Sequence, residues 1–232
     1  MSMFVSIPSR EKAPFRWAVP VLFVLLWMCF LGFTVLPDAG QQRLMLDWGA
    51  LSGAPQAAAE WLQWLIDGRI LRLFTALFLH ADWAHLLGNL VFLLIFGLSA
   101  ERAMGPWRLL AVFLLGGAVA NLAAVIAIGT PDRLIVGASG AVSALIGAYL
   151  FLFPRAKLGV VLPLGLFLEF VRAPAPLLIG IWALLQVVFA YIGPTLGAVA
   201  WWAHLAGFAF GIVYAMFVRA AIARRLRRQR GY

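Results

Sequence analysis

Ser139 sits among small residues in Gly137-Ala138-Ser139-Gly140 and opens an apolar run. A serine so placed either packs helices, its hydroxyl bonded back to the backbone, or serves as a nucleophile beside a base. A candidate base, His204, closes Trp201-Trp202-Ala203-His204 at the start of another apolar run. A third run opens Asp82-Trp83-Ala84-His85-Leu86-Leu87-Gly88-Asn89, where His85 and Asn89, at i and i+4, share one helix face. Singly, each has a plain reading: serine as packing, the histidines and the amide as bonds between helices. Together, an imidazole, a hydroxyl and two further donors at one level are what serine acyl transfer requires.

The elements that must position them read as membrane spans. The chain of 232 residues is 64% hydrophobic and 12% charged, with mean hydropathy +0.97, whereas a soluble domain carries roughly 25% charged residues. Composition therefore predicts an all-α, polytopic membrane protein. The net charge of +9 comes from short basic clusters between apolar runs, which argues for topology and against nucleic-acid binding. Cys29 is the single cysteine, so neither an intrachain disulfide nor a thiolate metal cluster can form.

Six apolar runs are read as transmembrane helices: 13–36, 84–100, 107–128, 137–153, 177–191 and 197–218. The segment 37–82, with Trp61, Trp64, Arg69 and Arg72, reads as a large first loop in the membrane interface. The apolar stretch 158–171 contains Pro163 and Glu169 and falls short of the roughly 20 residues a span needs, so it reads as interfacial. Charge bias supports this count. With the N-terminus inside, 14 of the 18 Lys and Arg residues lie on the cytoplasmic side and only Arg43, Arg69, Arg72 and Arg133 outside. A seventh crossing would strand the Arg-rich tail on the wrong side. Organisation follows: a cytoplasmic N-terminal tail (1–16), a six-span domain (17–219) and a basic cytoplasmic C-terminal tail (220–232) near anionic lipid. The second, fourth and sixth spans all descend from the external side, so residues near their N-terminal ends, His85, Ser139 and His204 among them, share one depth.

The order of these motifs, His85-x-x-x-Asn89, then Gly137-x-Ser139-Gly140, then His204-x-x-Gly207-x-x-x-Gly211, resembles the rhomboid family of intramembrane serine proteases. Arg72-x-x-Thr75-x-x-Phe78-Leu79-His80 and Glu101-Arg102-x-x-Gly105 extend the resemblance from about residue 72 to residue 219. It implies a rhomboid-like six-helix bundle. It also implies a serine endopeptidase in which Ser139 is the nucleophile, His204 the general base, and His85, Asn89 and the Ser139 backbone N–H stabilise the oxyanion. Gly137 and Gly140 beside Ser139, and Gly207 and Gly211 at small-xxx-small spacing, would let helices pack closely around the site. Substrates would be other membrane proteins, cut near the extracytoplasmic end of a transmembrane segment. The expected setting is the lipid bilayer, with no nucleic acid, metal or cofactor; the compact chain with short loops and an Arg-rich tail points to a bacterial plasma membrane, with an organellar membrane as the alternative.

The chain departs from the family pattern twice. Leu71 stands where a tryptophan usually precedes the loop arginine. Ser143 stands where an aromatic, one turn after the nucleophile, stacks on the histidine in some members. None of the nine acidic residues lies inside the fourth or sixth run, so a Ser-His dyad is expected rather than a carboxylate triad, with Ser143 as candidate orienter of His204. Gln186 and Asn121 are read as interhelical hydrogen-bond formers, His80 as structural, Glu101 and Arg102 as an ion pair, and the Gly193-Pro194 loop with the fifth span as a gate. The competing reading is a catalytically inactive rhomboid-like factor that binds membrane proteins, although such a protein would not need both Ser139 and His204. A transporter lacks support from inverted repeats, and a metalloprotease from any His-Glu-x-x-His motif.

Overall fold

The computed structural model describes residues 16–129, 133–164, 167–192 and 201–229. Residues 1–15 with Arg10 and Lys12, the Gly193-Pro194 loop, residues 197–200 at the start of the last expected span, and residues 230–232 lie outside them. The described chain is mostly helical. Four helical segments are long and apolar enough to cross a bilayer: Trp83–Met104, Pro106–Ala127, Ala175–Ile192 and Trp201–Arg227, while Ala18–Thr34 and Ser139–Leu152 are shorter apolar helices. Large apolar side chains point outward along them, Leu184 and Phe217 among the most exposed, as expected where the solvent is lipid. The chain is an integral membrane protein.

Helix α1 (Ala18–Thr34) begins at an unusual cap. The Glu101 carboxylate, 1% exposed, accepts the Ala18 and Val19 N–H groups at 2.9 and 3.0 Å. A carboxylate there satisfies two of the four N–H groups that a helix leaves unpaired and meets the positive end of its dipole. This corrects the expected Glu101–Arg102 ion pair: Arg102 is exposed, and Glu101 ties two helices together across the sequence.

The expected interfacial loop is a folded unit. Helices α2 (Asp38–Trp48), α3 (Ala58–Ile66) and α4 (Arg69–Thr75) lead into a 3₁₀ turn at Ala76–Phe78. Trp64, Leu73 and Ala76 are buried with Ala118, Ala120 and Ala124 of α7 (Pro106–Ala127) in a core of their own. Trp64 is therefore a core residue of this unit. The Asn121 amide of α7 donates to the Leu73 carbonyl at 2.8 Å, and Arg72 donates to the Leu46 carbonyl at 3.0 Å. Strand β1 (Ala50–Leu51) pairs antiparallel with β2 (Leu134–Ile135), joining this unit to the segment that precedes Ser139.

The span Trp83–Met104 consists of α5 (Trp83–Phe92), a π-helical turn over Leu93–Gly97, and α6 (Leu98–Met104). Gly105, at φ +86, reverses the chain, and Pro106 at the first position of α7 fits a site whose N–H has no helical partner. Helix α8 (Ser139–Leu152) is buried at every residue from Gly140 to Tyr149. It is the central helix, apolar on all sides because protein surrounds it on all sides. The stretch read as interfacial forms an antiparallel hairpin of β3 (Lys157–Leu164) and β4 (Phe167–Pro174), with Lys157 opposite Pro174. Its β-branched and aromatic content, with Pro163 denying a helix, accounts for a hairpin where the sequence left the conformation open. Helix α9 (Ala175–Ile192) follows, and α10 (Trp201–Gln229) continues in helix well past Val218, through most of the expected basic tail.

Candidate active site

Local rules start two of the three helices that matter at the right residues. The Asp82 carboxylate caps α5 by accepting the His85 N–H at 2.8 Å, which places His85 in the first turn and Asn89 one turn deeper. Ser139 is the first residue of α8, a position whose backbone N–H has no intrahelical acceptor. His204 is the fourth residue of α10. The first turns of α5 and α8 and residues 201–204 of α10 converge on a cavity of about 330 Å³ whose polar lining is His85, Asn89, Ser139, Ser143, Gln186 and His204. The N-termini of α5 and α8 facing one space make it favourable to negative charge.

The central contact runs between helices 65 residues apart in sequence: the Ser139 hydroxyl lies 2.9 Å from His204 Nε2. Close packing brings these helices together. A Cβ on Gly207 would overlap the Gly140 carbonyl, and one on Gly211 would overlap the Ala144 carbonyl, so the α10 backbone rests directly on that of α8. Gly137 has φ +109, and a side chain there would collide with His85 Nε2. That glycine lets the loop turn into α8 while the imidazole lies against it.

Across the cavity, Asn89 is 6% exposed, and its Nδ2 finds no protein acceptor. A buried amide donor left open towards a cavity is rare in a folded protein. His80 supports the same corner from behind: its Nε2 accepts the Ala138 N–H at 3.4 Å, and its ring lies 5.0 Å from that of His85. Burial lowers the pKa of His80 from 6.5 to about 4, so it remains neutral and able to accept at physiological pH.

The orienter of His204 differs from the expectation. Ser143 donates back to the Ser139 carbonyl at 2.7 Å, the usual bond of a mid-helix serine to position i−4, and makes none to the imidazole. His204 Nδ1 instead lies 2.7 Å from Gln186 Oε1, on α9. The sequence reading assigned Gln186 an interhelical bond without naming its partner. The signal was present, because Gln186 is the one side-chain amide in α9, and an amide inside an apolar helix needs a partner on another helix.

The comparisons with known proteins place this geometry. The Rhomboid domain family model matches residues 67–221, which holds every residue lining the cavity. In Bacillus subtilis (strain 168) the protein named "Putative rhomboid protease YdcA" is 37% identical over 86 residues, covering 37% of this chain and 43% of that protein. In Arabidopsis thaliana, RHOMBOID-like protein 12, mitochondrial, is 37% identical over 131 residues, 50% of this chain and 37% of that protein. RHOMBOID-like protein 5 of the same plant is 32% identical over 84 residues, 36% of this chain and 27% of that protein. The chain thus spans less than half the length of each of these relatives. A domain match over most of the chain, laid on helices that carry Ser139 and His204 to one cavity, shows that the chain belongs to the rhomboid family.

Proposed function

We propose that the protein is an intramembrane serine endopeptidase with a Ser139–His204 dyad. The observation that carries this reading is the 2.9 Å contact between the Ser139 hydroxyl and His204 Nε2, in a cavity that also holds the unpaired Asn89 amide. Ser139 Oγ attacks the substrate carbonyl while His204 takes its proton, and the imidazolium then protonates the leaving amine. Oxyanion charge meets Asn89, His85 and the Ser139 N–H at the start of α8, each such donor contributing about 2.7–4 kcal/mol in the transition state. Water then enters by the same route and releases the acyl group.

The length of α8 supports water access. Its 14 residues rise about 21 Å, against a hydrocarbon core of about 30 Å. Being enclosed by protein, α8 need not span, and the shortfall leaves its first turn recessed beneath a polar opening. We read the two shorter apolar helices as membrane-embedded with the four long ones, giving six, with both termini cytoplasmic and the site opening to the external face of a bacterial plasma membrane. The substrate is then the extracytoplasmic end of another protein's transmembrane segment, reached from the bilayer.

The test is cleavage of a model transmembrane substrate in reconstituted membranes. Wild type is expected to cut it, chelator leaves the rate unchanged, and Ser139→Ala and His204→Ala each abolish cleavage. A substrate bound equally by wild type and Ser139→Ala but never cut would replace this reading with that of an inactive membrane-protein-binding factor.

A further inference from the structure

The geometry points to Gln186 as the positioning residue of the dyad: a neutral amide on a third helix that selects the His204 tautomer able to act as base. The kinetic part of this inference rests on the protease reading above; the tautomer part does not.

The argument follows from which atoms can donate. Gln186 Nε2 lies 3.3 Å from the Trp182 carbonyl, and a carbonyl only accepts, so that arm of the amide is the NH₂ group. The other arm, 2.7 Å from His204 Nδ1, is then the carbonyl oxygen Oε1, which also only accepts. Nδ1 must carry the proton. In a neutral imidazole this leaves the lone pair on Nε2, the nitrogen 2.9 Å from the Ser139 hydroxyl. The chain Trp182 C=O, Gln186 amide, His204 imidazole and Ser139 hydroxyl is thus polarised in one direction, and it ends with a serine proton aimed at a free base.

A carboxylate would impose the same tautomer, but at 6% exposure among apolar helices it would be an expensive buried charge. An amide avoids that cost provided that it cannot flip, since a flipped NH₂ would donate to Nδ1 and move the proton to Nε2. The Trp182 carbonyl prevents the flip. Rings hold the arrangement on either side: Trp182 against Phe208 at 5.7 Å, and Trp201 edge-on to His204 at 5.9 Å. Among the described residues no acidic side chain lines the cavity, and Gln186 is the group in contact with Nδ1.

The experiment combines ¹⁵N-histidine NMR and kinetics on the full chain in bicelles, comparing wild type with Gln186→Leu, Gln186→Met and Gln186→Glu. With only three histidines, the His204 signal is assigned by its absence from His204→Gln. Wild type is expected to show protonated Nδ1 and unprotonated Nε2. In Gln186→Leu and Gln186→Met the tautomers mix and kcat falls by about 10²-fold, the lower end of what a positioned general base supplies, with KM unchanged. Gln186→Glu, which keeps an acceptor, restores the tautomer and most of the rate. An unchanged spectrum and kcat in a folded Gln186→Leu or Gln186→Met protein overturns the proposal and leaves the protease reading standing. Equally, a wild type with the expected spectrum that cuts no substrate sinks the protease reading and leaves the hold of Gln186 on His204 intact.

Discussion

The most exacting residue outside the dyad is Asn89, because its buried Nδ2 has no acceptor among its neighbours. Leaving such a donor open costs about 1–3 kcal/mol, a cost a binding site can recover if the reacting oxygen arrives there. Asn89→Ala is therefore expected to keep or slightly raise the unfolding temperature while lowering kcat by about 10²–10³-fold, a smaller loss than that of Ser139→Ala. Steady-state cleavage beside a thermal melt checks both halves, and wild-type turnover in Asn89→Ala would remove it from the oxyanion site. Ser143 illustrates the limit of reading at this scale. It lies one turn from Ser139 and lines the same cavity, yet its hydroxyl has a nearer acceptor in the Ser139 carbonyl. Local backbone bonding wins over a longer reach because it orders nothing that the helix has not already ordered.

At the scale of elements, α10 is set by its glycines. Gly207 and Gly211 press on the carbonyls of Gly140 and Ala144, so helix separation and dyad distance are one quantity. Gly207→Leu is expected to push α10 off α8, destabilising the protein by about 1–3 kcal/mol and lowering kcat further than stability alone explains, because the Ser139–His204 bond lengthens. Denaturant unfolding and single-turnover cleavage, measured together, separate the two effects. Proportional loss of both would mean that the glycines serve packing alone. Their role was legible in the sequence, since small-xxx-small spacing describes one helix and predicts close approach by another. The hairpin of β3 and β4 was not legible: a stretch of 14 residues holding Pro163 and Glu169 is too short for a span, but it does not choose between lying in the interface and pairing. The cap that Glu101 supplies to α1 was equally hidden, being a contact over 83 residues. Its neighbour Arg102 offered a simpler partner in sequence, one that points away in space.

At the scale of the whole molecule, the sidedness of charge and the position of the site make one claim. If the first turns of α5 and α8 face outward, then Asp67, exposed at the end of α3, lies outside and Arg155, exposed after α8, lies inside. In a Cys29→Ala background, a membrane-impermeant maleimide is expected to label Asp67→Cys in intact spheroplasts and Arg155→Cys only after permeabilisation. The reverse pattern would invert the site towards the cytoplasm and overturn the proposed substrate end.

The membrane class and the ordered placement of His85, Asn89, Ser139 and His204 on separate apolar runs were determined by the sequence, because both depend on composition and short-range periodicity along one chain. That Ser139 and His204 touch, that Glu101 caps α1, and that Gln186 rather than Ser143 holds the imidazole were decided only by the tertiary structure. Hydrogen bonds form between atoms near in space, and an amide 18 residues from its histidine becomes a partner only once two helices have packed.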